Sequence, residues 1–523
     1  MSKIKVTFLP QKKSILVPEG ISIKDAAKFA EIVIDSPCGG IGKCGKCKVE
    51  VTFRNISRKQ HKLACRTKIT EEMTVTIPDS INVDLKKLFI SASPIKNKTS
   101  NSGILGVAID VGTTSIVGVL VDLVSKNTLS VAAEVNPQYV HGADVISRID
   151  FSINNVDGTK KLQGQIVGAV NRIIAKLSKD TTIKSKKIQK ITITGNTTMQ
   201  HLFMGIDTKS LAFAPYQPPV KGIYNSITAS QIGININDDA QVYFIPNISG
   251  WIGGDTLSMI SALGFYKSDK IKLAIDIGTN GEIVLGSKKR ILVASTAAGP
   301  CFEGANISSG MRAASGAIES VYFTDESIFY NVIDNVPAKG LCGSGLIDII
   351  AELLRYEIID ETGRIKNIRE LKDKLPSALL ESIVENKEGN KVLVAKNDEQ
   401  SIFVTQQDIR ELQLGKAAIS AGIQMLTMEM GIKIKEIDEI LLAGTFGNYI
   451  DKTNAQRIGL IPSVSLKKVK YVGNAACEGA RLALISQEVR DEMEEKIKTI
   501  EHIDLISKID FQQTFVDAIY FPK

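Results

Sequence analysis

The chain is poor in the residues that announce several common classes of protein. Its 523 residues include seven cysteines, four histidines and one tryptophan. Seven is odd, and four of the seven fall within the first 65 residues, which does not suit the paired disulfide framework of a secreted domain and points to metal chemistry instead. No run of about eighteen apolar residues occurs, so no membrane-spanning helix is expected. The opening MSKIKVTFLP lacks the unbroken apolar segment of a secretory leader, and the chain reads as soluble and cytoplasmic. The formal charge of +7 is spread along the chain without an arginine-rich tail or an aromatic-studded basic stripe, which argues against a nucleic-acid partner. A G-x4-G-K-S/T run is also missing, which excludes a P-loop nucleotide site. What remains is an ordinary globular composition, 44% hydrophobic and 23% charged, long enough for about three domains.

The first positive signal is DSPCGGIGKCGKCKV, residues 35–49. With a later cysteine it gives Cys38-x5-Cys44-x2-Cys47-x17-Cys65. Four thiolates satisfy either an iron-sulfur cluster or a structural zinc ion. Gly39, Gly40, Gly42 and Gly45 suit a loop that wraps inorganic sulfide and aims backbone N–H groups at it, whereas zinc wants a second short knuckle and Cys65 stands alone. Around the loop, KVTFLP and KSILVPEG alternate as a hairpin, SIKDAAKFA reads as a helix opened by Ser22, and KCKVEVTF and MTVTIP read as strands. This order resembles the 2Fe-2S ferredoxin domain of the β-grasp type over residues 3 to about 78. The resemblance implies that Cys38, Cys44, Cys47 and Cys65 hold a 2Fe-2S cluster. The spacing is nearer to adrenodoxin and oxidoreductase-subunit variants than to plant ferredoxins, and Cys65 arrives earlier than in either. His61 reads as a surface side chain. Lys43, Lys46, Lys48, Arg54, Arg58, Lys59, Lys62 and Arg66 form a basic rim that either steers an acidic redox partner or is simply solvated.

SASPIKNKTSNSG, residues 91–103, has the composition of a flexible tether with a reach of about 20 Å. It either carries the first domain between two places or merely joins it to the rest. Beyond the tether lies an internal repeat. GVAIDVGTTSIVGVLVDL at 106–123 echoes KLAIDIGTNGEIVLGS at 272–287, each reading as a buried strand, a tight glycine turn and a returning strand. Such a tip exposes consecutive N–H groups for phosphate oxygens at Gly112, Thr113 and Thr114 and at Gly278, Thr279 and Asn280. The aspartates ending the first strands, Asp110 and Asp276, suit a magnesium ion held through its waters. A third piece, EILLAGTFGNYI at 439–450, runs from a strand into Gly444, Thr445, Phe446 and Gly447, where small residues admit a base and ribose. Order and spacing of the three resemble the phosphate-1, phosphate-2 and adenosine motifs of the acetate and sugar kinase, heat-shock ATPase and actin superfamily, which implies ATP with Mg2+.

Other glycine-rich turns open helices: NPQYVHGADVISRI, ITITGNTTMQHLFMGI, ISGWIGGDT, AAGPCFEGANISSGMRAASGAI, GLCGSGLIDIIAELL and NAACEGARLAL. Some of these glycines serve helix packing. Asp255 and Glu303 sit in such junctions, either orienting the attacking water or the metal, or serving as caps. Cys301, Cys342 and Cys477 fit as small buried hydrophobes, His141 and His201 as structural residues, and Trp251 as the marker of an interdomain cleft.

A 2Fe-2S ferredoxin domain, a tether and a duplicated ATPase domain in one chain resemble the reductive activators of corrinoid proteins. The expected fold is multidomain α+β and α/β: a ferredoxin-like β-grasp domain at 1–80, a linker at 81–104, and two ribonuclease H-like ATPase halves at 105–271 and 272–523. The resemblance implies an enzyme that hydrolyses ATP to pass an electron from the cluster to a cobalt(II) corrinoid protein of a methyltransferase system, restoring cobalt(I). It also implies a homodimer and a low-potential electron donor. Some members carry a further domain after the cluster, for which only about 27 residues are available here. Two other classes stay open, a small-molecule kinase with a redox sensor domain and an ATP-dependent activator of a radical dehydratase. The latter lacks a ferredoxin domain.

Overall fold

The computed structural model describes residues 3–10, 12–30, 32–34, 47–53, 59–77, 82–83, 103–142, 144–220, 227–387, 389–398, 400–447 and 449–523. Cys38, Cys44 and the tether expected at 91–103, apart from Gly103, lie outside the described residues.

The chain begins with alternation. In β1 (Lys3–Leu9) Ile4, Val6 and Phe8 point inward while Lys3 and Lys5 face water, the period-two pattern of a half-buried strand. β1 pairs antiparallel with β2 (Lys13–Pro18), and α1 (Ile23–Phe29) follows, opened by Ser22, whose hydroxyl accepts the Asp25 N–H at 3.1 Å. After β3 (Val33–Ile34) come β4 (Lys48–Phe53), β5 (Gln60–Leu63) and β6 (Met73–Thr76), with β7 (Asn82–Val83) pairing on β3. The sheet order is β2-β1-β6-β4-β5, with β1 and β6 parallel. Its core gathers Val6, Phe8, Ile23, Ala26, Ala27, Val49, Val51 and Val75, the helix lying in the grasp of the sheet. This is the β-grasp ferredoxin fold.

The second sheet contains β8 (Leu105–Val111), β9 (Ser115–Asp122), β10 (Thr128–Val135), β11 (Ile188–Gly195), β12 (Ile227–Thr228) and β13 (Gln241–Phe244). Its order is β10-β9-β8-β11-β13-β12, three antiparallel strands followed by two parallel ones and a short antiparallel edge. The helices α2 (Val145–Asn154), α3 (Gly158–Thr181), α4 (Thr197–Met204) and α5 (Gly254–Ala262) lie between or after these strands.

The third sheet starts with β14 (Lys272–Ile277), β15 (Gly281–Ser287) and β16 (Arg290–Thr296). An insertion follows, with β17 (Ala317–Phe323), β18 (Ile328–Val332) and β19 (Gly340–Leu341) in one small sheet, α6 (Gly343–Arg355), and β20 (Ile383–Val384), β21 (Lys391–Lys396) and β22 (Ser401–Thr405) in another. The long α7 (Gln406–Met430) then returns the chain to β23 (Glu439–Ala443), β24 (Val469–Gly473), α8 (Ala475–Ile485) and β25 (Ile500–His502). The order β24-β23-β14-β15-β16-β25 reproduces the second sheet: β14, β15, β16, β23 and β24 occupy the places of β8, β9, β10, β11 and β13. Two ribonuclease H-like halves in one chain are the observed basis of the sequence repeat. The insertion is not visible in the sequence reading, because its strands carry no echo of the first half.

The halves share a core. Ala108, Val117, Val119 and Val121 of the second sheet and Ala274, Val284, Val293 and Leu441 of the third belong to one buried cluster. It is completed by Leu257 and Ile260 of α5 and Ala480, Ala483 and Leu484 of α8. Gly479 lets those helices touch, since a Cβ there would stand 2.1 Å from the Ser258 carbonyl oxygen. Among the described residues no helix is long and apolar enough to cross a membrane. Gly479→Ala should force α5 and α8 apart and lower stability by about 1–3 kcal/mol. The check is a fall in the urea midpoint at unchanged m-value.

Candidate functional site

The register of β4 on β5 positions two of the four expected cluster ligands. Lys48 pairs with Leu63, so Cys47, one residue before β4, and Cys65, two residues after β5, arrive at the same end of the ladder. The Ala64 N–H donates to the Cys47 carbonyl at 2.8 Å, and the two Sγ atoms stand 3.3 Å apart. Both cysteines are free thiols. Two soft sulfur donors that converge at the edge of a packed core fit iron-sulfur ligation. Among the described residues no larger group of metal-ligating side chains is present. His61 is exposed on β5.

The second centre lies where the two repeated hairpins meet. In the first, Gly112 N–H donates to Ser115 O at 2.9 Å and closes the turn; in the second, Gly278 N–H donates to Asn280 O at 3.1 Å. Glu303 ties the two together. Its carboxylate accepts the Thr114 hydroxyl at 2.7 Å on one oxygen and the Thr279 hydroxyl at 2.8 Å on the other. Glu303 sits on a single 3-10 turn, Pro300–Glu303, directly after β16. A residue from one glycine-rich junction thus bridges the two repeated hairpins, through positions that are offset by one: Thr279 corresponds in the repeat to Thr113, and Thr114 to Asn280.

Below them is a group of half-buried carboxylates. Burial pushes Asp110 up to about 7, against a hydrogen bond from Asn474 and together with the charges of Asp255 and Asp276. Burial likewise raises Asp276 to about 7, with Asp255 adding repulsion. Asp255, in the first turn of α5, is raised by burial to about 6 although the Thr256 N–H donates to it at 2.7 Å. Glu282, opposite Asp276 in the β14–β15 ladder, is pushed well above the usual carboxylate range by burial and by Asp255 and Asp276. Like charges held together away from water raise one another's proton affinity, and a divalent cation relieves them. Among the described residues no three such side chains stand close enough to hold a metal ion directly, so these hard oxygens suit Mg2+ through its waters.

The third sequence motif begins at Gly444. This glycine adopts φ +78°, and a Cβ there would lie 2.1 Å from Asp276 Oδ1. β23, which it ends, is the parallel neighbour of β14, which ends beside Asp276, so backbone and carboxylate approach closely. Gly447 is buried; the side chains of Thr445 and Phe446 lie outside the described residues.

The structure therefore brings Asp110, Asp255, Asp276, Glu303, the two Gly-Thr turns and Gly444 to one cleft. Sequence reasoning missed Asn474, which caps α8 by accepting the Cys477 N–H at 2.8 Å while its amide donates to Asp110 at 2.8 Å. Its signal was the position opening NAACEGARLAL, an N-cap that crosses to the other half. Also missed were Glu282 and two asparagines that brace the first hairpin from outside it: Asn136, just after β10, donates to Gly112 O at 2.9 Å, and Asn196, the N-cap of α4, to the Thr113 hydroxyl at 3.0 Å. Cys301, Cys342 and Cys477 are buried in separate places, and burial raises all three thiols. His201 is buried against Thr197 O at 2.6 Å, and the ring of His141 lies 4.1 Å from that of Phe151. Trp251 packs with Tyr216 and with Val145, Ile149 and Leu211, a small cluster built from the first half alone.

A β-grasp domain with converging thiols, joined to two ribonuclease H-like halves around a carboxylate-lined cleft, defines an iron-sulfur protein with an ASKHA-type ATPase domain. Comparison with known proteins agrees. Residues 6–70 match the 2Fe-2S iron-sulfur cluster binding domain, 105–268 the RACo middle region, and 270–523 the C-terminal domain of RACo, the ASKHA domain. The chain is 38% identical over 425 residues to the corrinoid activation enzyme RamQ of Eubacterium limosum, covering 81% of this chain and 71% of that protein. It is 27% identical over 425 residues to the Co(II) methylated amine-specific corrinoid protein reductase of Methanosarcina barkeri, covering 79% and 76%. The solved structure of a reductive activator for corrinoid,iron-sulfur protein superposes with a TM-score of 0.72 at 30% identity, covering 99% of this chain and 98% of that one. The chain belongs to the RACo family of corrinoid reductive activators.

Two outcomes test the separate centres. Cys47→Ser and Cys65→Ser should each abolish the visible absorption of the 2Fe-2S protein, measured on anaerobically reconstituted samples. Gly444→Ala, which must displace the Asp276 carboxylate, should weaken MgATP binding by at least about tenfold in a calorimetric titration and leave that absorption unchanged.

Proposed function

We propose that this chain uses ATP to drive one electron from its 2Fe-2S centre to the cobalt(II) corrinoid of a partner protein, restoring the cobalt(I) state used in methyl transfer. The observation that carries the reading is the union, in one chain, of two converging cluster thiols with a cleft whose repeated hairpins are bridged by Glu303. When bound by Cys38, Cys44, Cys47 and Cys65, the cluster supplies one-electron chemistry. Asp110 and Asp276, assisted by Asp255, hold Mg2+ through its waters. The turns Gly112–Thr114 and Gly278–Asn280 hold the phosphates, Gly444–Gly447 the adenosine, and Glu303 orients the attacking water. The boundaries follow the sequence: a ferredoxin-like domain at 1–80, a linker at 81–104, and ATPase halves at 105–271 and 272–523. We place the protein in the cytoplasm as a homodimer, recharged by a low-potential electron donor.

Energetics give ATP a task. For one electron each 59 mV of unfavourable potential is about a factor of ten, so a gap of a few hundred millivolts leaves almost no reduced cobalt unless it is offset. A nucleotide bound at micromolar strength carries about 8 kcal/mol of binding free energy. Only the part that differs between two conformations does work. A cleft whose two walls come from two halves supplies that difference, since the triphosphate contacts both walls in the closed form alone. Closure remodels the docked corrinoid protein, and hydrolysis resets the complex.

Mixing reduced protein, ATP and candidate cobalt(II) corrinoid proteins should produce cobalt(I) spectra that depend on ATP. Failure with every corrinoid protein of the same organism, or phosphoryl transfer to an added metabolite without any corrinoid, would overturn the reading. Asp110→Ala and Asp276→Ala should each abolish ATP-dependent reduction with the cluster absorption intact.

A further inference from the structure

The stretch NPQYVHGADVISRI contributes a residue that the proposed chemistry does not use. Arg148 of α2 is 0% exposed, and among the described residues no carboxylate stands at ion-pairing distance from it. Its fork is spent on neutral groups: Nε donates to Gly142 O at 3.0 Å, and Nη1 to Gln138 Oε1 at 3.2 Å and to the Met199 sulfur at 3.3 Å. Nη2 donates to Thr113 O at 2.6 Å. Four bonds use four of the five N–H groups of a guanidinium, leaving one on Nη2, the nitrogen that grips the hairpin. An unpaired buried cation is costly, and burial lowers Arg148 to about 10, with Glu303 and Asp144 opposing that shift and Arg312 adding to it.

The bond to Thr113 belongs to a set. Asn136 takes the carbonyl of Gly112 through its side chain at 2.9 Å and the carbonyl of Thr114 through its backbone N–H at 2.9 Å. Three consecutive carbonyls, those of residues 112, 113 and 114, are therefore drawn to donors from one flank. The N–H groups of Thr113 and Thr114 have no acceptor among the described residues. At the second hairpin the Thr279 hydroxyl is tied to Glu303 and the Gly278 N–H to Asn280 O. Position says which end of a nucleotide meets the charged hairpin: Gly444, at the nucleoside motif, adjoins Asp276 in the third sheet, while Thr113 belongs to the other half. A triphosphate running from Gly444 reaches the first hairpin with its far end.

We infer that Arg148 is a positioning residue that, through Thr113, makes the first hairpin selective for the terminal phosphate of ATP, so that the cleft prefers ATP to ADP. The inference rests on the nucleotide reading above. Loss of a hydrogen bond from a charged group costs about ten- to a hundredfold in affinity, which sets the expected scale.

Calorimetric titration of the full chain with MgATP and MgADP tests it in wild type, Arg148→Gln and Arg148→Lys. Arg148→Gln should weaken ATP by about tenfold or more and ADP by less than about threefold. Arg148→Lys, which keeps the charge without the fork, should fall between wild type and Arg148→Gln for ATP. Equal loss for both nucleotides would mean a purely structural residue and would overturn the inference, as would unchanged ATP affinity. Should Arg148→Gln fail to fold, an Arg148→Lys protein with the wild-type preference for ATP over ADP would overturn it alone. Wild-type protein that binds both nucleotides equally would also overturn it. Wild-type protein that binds neither would overturn the ATP reading itself, and this inference with it.

Discussion

One carboxylate holds the two halves in register across the cleft. Glu303 accepts a hydroxyl from each repeated hairpin. A phosphate presents the same chemistry as this carboxylate, anionic oxygens that accept from hydroxyl and backbone donors. A phosphate entering between Thr114 and Thr279 therefore competes with Glu303 for its partners. The turn bearing Glu303 is packed tightly: a Cβ at Gly415 of α7 would stand 2.8 Å from both Ala298 O and Cys301 Sγ. Interiors packed to this density transmit displacement rather than absorb it. Displacement of the Glu303 turn would therefore press on α7 at Gly415.

Charge sets a second condition. Burial raises the proton affinities of Asp110, Asp255, Asp276 and Glu282, and the neighbouring charges of Asp255 and Asp276 add repulsion at Asp110 and Glu282, as Asp255 does at Asp276. A divalent cation removes the repulsion and attracts the triphosphate, while the triphosphate alone meets a negative floor. Metal and nucleotide favour each other's binding for the same electrostatic reason. Asn474 adds a geometric link, because it caps α8 and donates to Asp110 of the other half. The shared core of α5 and α8 and the floor of the cleft thus meet at Asp110.

The elements that were legible in the sequence are those with a local pattern. The β-grasp strands alternate, the Asp-x-Gly-Thr hairpins repeat, and each obeys a rule confined to a few neighbours. The four acids Asp110, Asp255, Asp276 and Glu303 could be named because each lies within a few residues of a glycine-rich turn. Arg148, Asn136 and Asn474 could not, since each acts on a residue 35, 24 and 364 positions away respectively, and only the fold creates those pairs. The insertion at β17–β22 stayed hidden for a related reason: its strands are short and lack a counterpart in the first half. Glu282 was readable in principle, six residues after Asp276, but its significance comes from facing Asp276 across a ladder.

The apolar cores of the ferredoxin-like part and of the ATPase halves are separate. The ferredoxin-like core draws only on residues up to Ile77, while the clusters of the ATPase halves begin at Leu105. Among the described residues no buried apolar cluster contains members of both. The two parts meet instead at a pocket where Lys24, Asp25 and Phe29 of α1 face Tyr322, Arg355 and Arg457, so no shared apolar core links the nucleotide site to Cys47 and Cys65, which the β4–β5 register brings together. On the proposed function, the free energy of nucleotide binding therefore acts on the acceptor rather than on the donor: it is spent through the halves that grip the corrinoid protein, while the potential of the cluster is set by its own small domain.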